Sequence, residues 1–200
     1  MIVNVRTGQW SEVLLKLSGE HLQHATELQI NRLFENYRSE IEPLLIRIMH
    51  RLEHQQPLVI SSDDALRTAM QDLVKEYPFV ELLYTLDGQG IQRSSNIQVD
   101  RQFAIYRGQD RSNRPYYQKA RISSTGIICT APYVSTATEH YCISAAMRLQ
   151  DSIGNSSYII LDVNFEAMID HLNKQHRHQG YIKLMRRLTP ALGLLLFLLG

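Results

Sequence analysis

The segment Asp110-Arg111-Ser112-Asn113-Arg114-Pro115-Tyr116-Tyr117-Gln118-Lys119-Ala120 gathers two arginines, two tyrosines, an aspartate and a proline into one short run flanked by apolar, strand-like stretches. A guanidinium is a fixed fork of donors matched to a carboxylate, and a tyrosine supplies an apolar wall with a polar tip. Those residue types suit a pocket for a small anion or zwitterion better than they suit a core. Further along, Asp162 ends the apolar run Tyr158-Ile159-Ile160-Leu161. Arg114 could hold a carboxylate bidentately while Asp162 accepts an ammonium group, with Tyr117 and Tyr133 orienting the ligand between them. Opposite charges at opposite ends select a zwitterion. The alternative is a structural ion pair between Arg114 and Asp162 with the tyrosines as core. Arg111 reads as a structural or surface residue, and Asp110 as a brace for the loop.

Other chemistries find less support. His50-Arg51-Leu52-Glu53-His54 sets two histidines on one helical face, but with no third ligand nearby it reads as a solvated face rather than a metal site. His171, His176 and His178 stand among lysine and arginine, which fits a pH-dependent contact with anionic lipid. Cys129 and Cys142 belong to no CxxC or Cys/His cluster and read as small core hydrophobes. No Ser/His/Asp order, glycine-rich phosphate loop or kinase signature is present, so the expectation is no enzyme, no metal and no cofactor. The formal charge of +1, from 21 basic and 20 acidic side chains, provides no field to attract nucleic acid.

The elements that must position the candidate site follow from periodicity. With 44% apolar content over 200 residues, the chain can bury a real core. From about Glu12 to Glu53 it reads as helix: Leu33, Tyr37, Ile41, Leu44, Ile48 and Leu52 draw one apolar stripe. Pro43 interrupts it, and Ser39 with Glu42 resembles a capping box, so a kink or fresh start near Ser39 stands beside one straight rod. A short apolar run, Leu58-Val59-Ile60, precedes a helix begun by Ser61-Ser62-Asp63-Asp64 and stopped by Pro78. Phe79 to Leu86 is a strand, Asp87-Gly88-Gln89-Gly90 its hairpin turn, and Gly90 to Val99 the returning strand. Asp100 to Ser124 is loop with a short helix around Pro115 to Ala120. Ile127 to Val134, His140 to Leu149 and Ser156 to Asn164 form an antiparallel meander, and Phe165 to Asn173 a closing helix. About five strands with helices segregated to one side make an α+β domain.

The tail differs. Lys174, His176, Arg177, His178, Lys183, Arg186 and Arg187 precede the apolar run Leu188 to Gly200, which is shorter than the roughly 20 residues that cross a bilayer. It reads as a truncated span, an interfacial anchor or a hydrophobic helix that docks on a partner. Basic residues beside an apolar span keep that flank cytoplasmic, and residues 1 to 10 carry no signal-peptide pattern. The expectation is an inner-membrane-associated protein with its folded domain in the cytoplasm, or facing the periplasm if the N-terminus is incomplete.

The order of helix, strand pair with an Asp-Gly turn, Asp-Arg-Ser-Asn-Arg-Pro-Tyr-Tyr-x-x-Ala, then Ala-Pro-Tyr and a last apolar strand carrying aspartate resembles Cache domains. These are also called PDC sensor domains, the PAS-like ligand-binding modules of bacterial receptors. The resemblance covers about Tyr77 to Leu172, with the long helix matching the family's N-terminal signalling helix. In members that bind amino acids, an Arg-x-Trp-Tyr element is followed by a tyrosine and an aspartate; Arg114, Tyr117, Tyr133 and Asp162 match those places. Tyr116 stands where that subfamily has tryptophan, and Tyr84 matches its earlier tyrosine.

The resemblance implies a PAS-like sheet, and three regions: 1–56 helical, 57–173 the sensor domain, 174–200 a basic juxtamembrane segment with a C-terminal hydrophobic helix. The function it implies is a non-catalytic sensor for an amino acid or related carboxylate or amine. Such a protein would be a homodimer through its N-terminal helix, held at the membrane by its tail and signalling through its helices. The alternative is a ligand-free PAS-like dimerisation scaffold that recruits a partner to the membrane.

Overall fold

The structure, a computed structural model, describes residues 19–54, 62–123, 126–150 and 154–179, with the side chains of the first helix described from residue 27 onward. Helix α1 (Gly19–Glu53) is continuous through Pro43. Pro43 lies on its exposed side, whereas Leu33, Ile41, Leu44, Ile48 and Leu52 of the expected stripe are buried and Tyr37 is half-buried. No fresh start occurs at Ser39. Glu42 does not fold back onto it but pairs with Arg38, which also reaches Glu35, a ladder of neighbouring helical turns.

The chain forms two compact units, Met1–Leu44 and Leu45–Gly200, with α1 running through the boundary. In the second unit Arg51, near the end of α1, is bonded to Glu76 on α2 (Asp63–Glu76). α2 begins as its sequence dictates: the Ser62 hydroxyl accepts from the Ala65 N–H, and Asp63 and Asp64 occupy the first turn, where the helix dipole favours acid.

Seven antiparallel strands follow: β1 (Val80–Asp87), β2 (Asn96–Ile97), β3 (Gln102–Phe103), β4 (Ile127–Cys129), β5 (Tyr133–Val134), β6 (Tyr141–Gln150) and β7 (Ser156–Asn164). Their order is β3-β2-β1-β7-β6-β4, with β5 also on β6. Helix α3 (Pro115–Ile122) lies between β3 and β4, and α4 occupies 165–179. The architecture is α+β, a PAS-like antiparallel sheet with four α-helices among the described residues.

β1, β6 and β7 form the centre and are buried almost throughout, which explains their near-continuous apolar runs where a half-exposed sheet would alternate. Leu82, Tyr84 and Leu86 of β1 join Ala146, Tyr158 and Ile160 in a cluster with Tyr116, Tyr117 and Ala120 of α3. Alternation sends Leu83 and Thr85 to the other face, and they are buried too, so both faces of the central strands are covered rather than one.

Two expectations change in detail. Only Asn96 and Ile97 of the Gly90–Val99 segment form a strand; Leu86↔Gln92 and Ile91↔Asp110 are single bridges, because the segment turns away through Ser94, whose hydroxyl takes the Thr85 N–H. The Ile127–Val134 strand splits into β4 and β5 around Pro132, which has no N–H to give to a ladder. Leu58-Val59-Ile60, residues 180–200 and the C-terminal hydrophobic helix expected there lie outside the described residues.

Candidate functional site

Strand register builds the floor of the site. Leu82 faces Asp162 on β7, and Asp162 faces Ser144 on β6, so the three side chains form one rung across the middle of the sheet. The next rung is Tyr84, Ile160 and Ala146. Both rungs point to the face that α3 covers, since directly opposed residues share a face and Tyr84 packs edge-on against Tyr116 with ring centroids 6.2 Å apart.

The Asp110–Arg114 segment supplies the wall. Asp110 takes the Ser112 N–H at 2.8 Å and bends the chain, and the Arg114 N–H closes a turn on the Arg111 carbonyl. Pro115 then opens α3 at a position where its missing N–H costs nothing. Gly90 touches this turn from the β1 hairpin: its carbonyl accepts the Arg111 N–H at 2.8 Å, and a Cβ there would lie 2.9 Å from the Ser112 Cα. Its φ of +86° is the left-handed conformation that glycine tolerates.

The third side is the loop from Ser135 to His140. It is held from β1 by Glu81, whose carboxylate contacts the His140 Nδ1 at 2.8 Å and accepts from the Thr138 hydroxyl at 3.1 Å. Within it the Ser135 N–H donates to the His140 carbonyl, and Glu139 adopts φ of 60°.

Together these elements line a half-open pocket with a cavity volume of about 20 Å³. Arg114, Tyr116, Tyr133, Asp162 and Tyr84 all line it, so five of the six residues singled out in the sequence are brought together. Tyr117 does not line it. Its ring stacks edge-on against Tyr158 at 5.1 Å and its hydroxyl donates to the Gly88 carbonyl at 2.8 Å, so it ties α3 to the β1 hairpin from within the core. Arg111 belongs to the pocket instead of the surface, with Leu82, Asn96, Ser135, Thr136 and Ala137.

Arg114 is half-buried and donates weakly to the Thr136 hydroxyl at 3.3 Å. Arg114 and Asp162 line one pocket without forming an ion pair, which sets aside the structural pairing considered above. Among the described residues neither Arg111 nor Arg114 is paired with a carboxylate.

Asp162 is buried, and its carboxylate accepts from the Ser144 hydroxyl. Ser144 has one proton to give, so Tyr133, whose hydroxyl lies 2.6 Å from Ser144 Oγ, donates in turn to Ser144. Burial pushes the Asp162 carboxyl up to about 7; the Ser144 bond opposes that, and nearby Glu81 adds to it. Burial also raises the Tyr133 and Tyr84 hydroxyls, and it pushes Tyr116 up to about 12. All three tyrosines are therefore neutral hydrogen-bonding groups near neutral pH. The result is a cationic wall, a buried acid opposite and uncharged aromatic polar groups between.

Sequence reasoning missed Ser144 and Asn96. Ser144 had a signal, a lone hydroxyl in the apolar run Cys142-Ile143-Ser144-Ala145-Ala146, but only register places it beside Asp162. Elsewhere, His171 packs edge-on against Phe79 at 5.2 Å, so it serves the core rather than a lipid-facing tract. His50 pairs with Glu53, and no metal-binding cluster occurs among the described residues. Cys142 is buried and Cys129 half-buried.

No protein-family model and no curated protein matches the sequence. Solved structures do. The Bacillus subtilis YkuI protein, with an EAL domain in complex with c-di-GMP and calcium, is 17% identical over 72% of this chain and 36% of its own, with a TM-score of 0.49. An extracellular ligand-binding receptor from Desulfohalobium retbaense is 12% identical over 76% and 27%, with a TM-score of 0.47. The ligand-binding domain of the Pseudomonas fluorescens chemoreceptor CtaA, in complex with L-serine, is 22% identical over 74% and 63%, with a TM-score of 0.46. The chain thus spans less than two thirds of each. The cytoplasmic placement at the inner membrane is corrected by the same finding: the Desulfohalobium protein is extracellular. No helix among the described residues is long and apolar enough to cross a membrane.

Proposed function

We propose that this chain is a non-catalytic sensor module whose pocket binds an amino acid or a related small carboxylate or amine. The observation that carries the reading is the separation of charge: Arg114 on one wall and Asp162 on the floor line the same pocket without forming an ion pair. A zwitterion completes both. Its carboxylate would meet the Arg114 fork, its ammonium group Asp162, and its side chain the wall of Leu82, Tyr84, Tyr116 and Ala137. Tyr116, in the place of a tryptophan, adds a neutral hydroxyl to that wall.

Isothermal titration of the full chain with a panel of amino acids and carboxylates tests the reading. Arg114→Ala and Asp162→Ala should each weaken the ligand's binding by about ten- to a hundredfold, the worth of a charge-assisted hydrogen bond. A ligand whose binding survives both substitutions overturns the assignment. Self-association through α1 and membrane attachment through residues 174–200 belong to the same reading. Light scattering of the full chain and of a chain shortened before residue 174, with vesicle flotation of both, tests them: the shortened chain should remain dimeric and stay in solution.

A further inference from the structure

We propose that the tip of the Ser135–His140 loop is a gate latched over the pocket by Glu81, and that a ligand enters only when the bonds from Thr138 and His140 to Glu81 break. The inference rests on the reading of the pocket as a ligand site and concerns how that site is reached.

The cavity measures about 20 Å³, whereas an enclosed site that admits benzene measures about 150 Å³. Room for about one water molecule does not hold even a small amino acid whose ammonium group must reach Asp162, 4% exposed on the floor. A wall therefore has to move. The floor is fixed by the paired rungs of β1, β7 and β6. Tyr116, Tyr117 and Ala120 anchor α3 in the core, and the Gly90 carbonyl holds the Arg111 turn. The Ser135–His140 loop is held differently. Its neck is closed by two backbone bonds of 2.9 Å, from the Ser135 N–H to the His140 carbonyl and from the Glu139 N–H to the Ser135 carbonyl. Beyond that neck the tip is tied to other elements by side chains: Thr138 and His140 to Glu81 on β1, and Thr136 to Arg114 at 3.3 Å. Ala137 is the plug, lining the pocket and packed on the cluster of Leu82, Tyr84 and Tyr116. Glu139, at φ 60°, is the one non-glycine residue with a positive φ among the described residues, a conformation that persists only while its surroundings hold it. The closed position is thus kept against a local preference by a few side-chain bonds, and a carboxylate that claims the Arg114 fork removes one of them.

Thr138→Val and His140→Ala each remove one bond of the latch, and neither residue lines the pocket. The His140 side chain is 59% exposed, so its variant folds even where the other does not. The full chain and both variants are titrated with the standard amino acids, acetate and propionate, and amide exchange is followed at Ala137, whose N–H is held by the Ser135 hydroxyl at 3.3 Å. Each variant should raise exchange at Ala137 by about two- to tenfold, the worth of one hydrogen bond. Each should also tighten every probe that the parent binds by one common factor of that size, because a larger open fraction multiplies all affinities alike. Binding that appears only in the variants supports the gate equally. Unchanged exchange at Ala137 overturns the inference. So does binding that is unchanged or weaker in a folded variant, the latter marking a loop that clamps the ligand, and so does tightening confined to one probe, the mark of an altered contact; each leaves the wider reading standing. No binding of any probe by parent or variants overturns both.

Discussion

Replacing Asp162 by asparagine should stabilise the unliganded protein above neutral pH. In the fold the carboxyl is held near 7, whereas an unfolded aspartate has the ordinary value of 3.8, so the folded state grips the proton more tightly than the unfolded chain does. The stability that this group contributes is fully present below pH 4 and is lost as pH rises towards and through 7. The full gap corresponds to about 4 kcal/mol, at 1.36 kcal/mol for each tenfold change in proton affinity. Asparagine keeps the shape, can accept the Ser144 hydroxyl through its carbonyl, and carries no charge to bury. For a protein of this length the gain amounts to about 2 to 4 °C of melting temperature per kcal/mol. The assay is thermal unfolding of both proteins from pH 4 to 8.5. Other acids, such as Asp63 held low by Ser95 and Arg107 despite its partial burial, destabilise the fold on acidification in both proteins, so the difference between the two curves isolates Asp162. That difference should be small at pH 4 and grow through pH 7. A variant that melts lower than the parent at pH 8, or a difference that does not vary with pH, refutes the reasoning. An ammonium ligand should reverse the order, because it favours the ionised acid in the parent and finds none in the variant.

Two further perturbations probe the walls. Gly90→Ala should cost about 1 to 3 kcal/mol, since the new methyl meets the Ser112 backbone and the Tyr117 ring, whereas Gly108→Ala, equally left-handed but with open space around it, should cost about 1 kcal/mol; equal melting temperatures would refute the contact. Glu81→Gln should loosen the Ser135–His140 loop, raising amide exchange at Ala137 and Glu139, and should move the Asp162 midpoint down by removing a like charge; unchanged exchange would show that the loop does not depend on Glu81.

The parts of this fold legible in the sequence are those governed by local rules. The α1 stripe, the Ser62 cap, the Asp-Gly turn and the proline opening α3 each follow from the spacing or chemistry of a few neighbouring residues. What could not be read is set by pairing at a distance. Tyr117 and Tyr116 are adjacent and chemically alike, yet the α3 turn sends one ring to Tyr158 and the other to Tyr84, and only the second pair meets the pocket. Arg111 and Arg114 are three residues apart in one turn, and the choice between surface and pocket was decided by Gln92 and Gly90, which arrive from another hairpin.

The same long-range pairing explains why the site lies where local preferences are broken. Apolar side chains would fill the middle rung of the sheet more stably than Ser144 and Asp162, and a leucine would rest beside Tyr106 at less cost than a buried guanidinium. Such departures, confined to one pocket while the rungs around them are apolar and closely packed, are expected where stability is given up for binding. They also set the physical terms of a response. With the pocket vacant, Asp162 takes up a proton near neutral pH and Arg114 keeps its weak bond to Thr136. A carboxylate arriving at Arg114 competes with that bond, and an ammonium at Asp162 expels the proton. On the proposed reading, ligand entry would act on the Ser135–His140 loop and on the β6–β7 rung together, through Arg114 and Asp162.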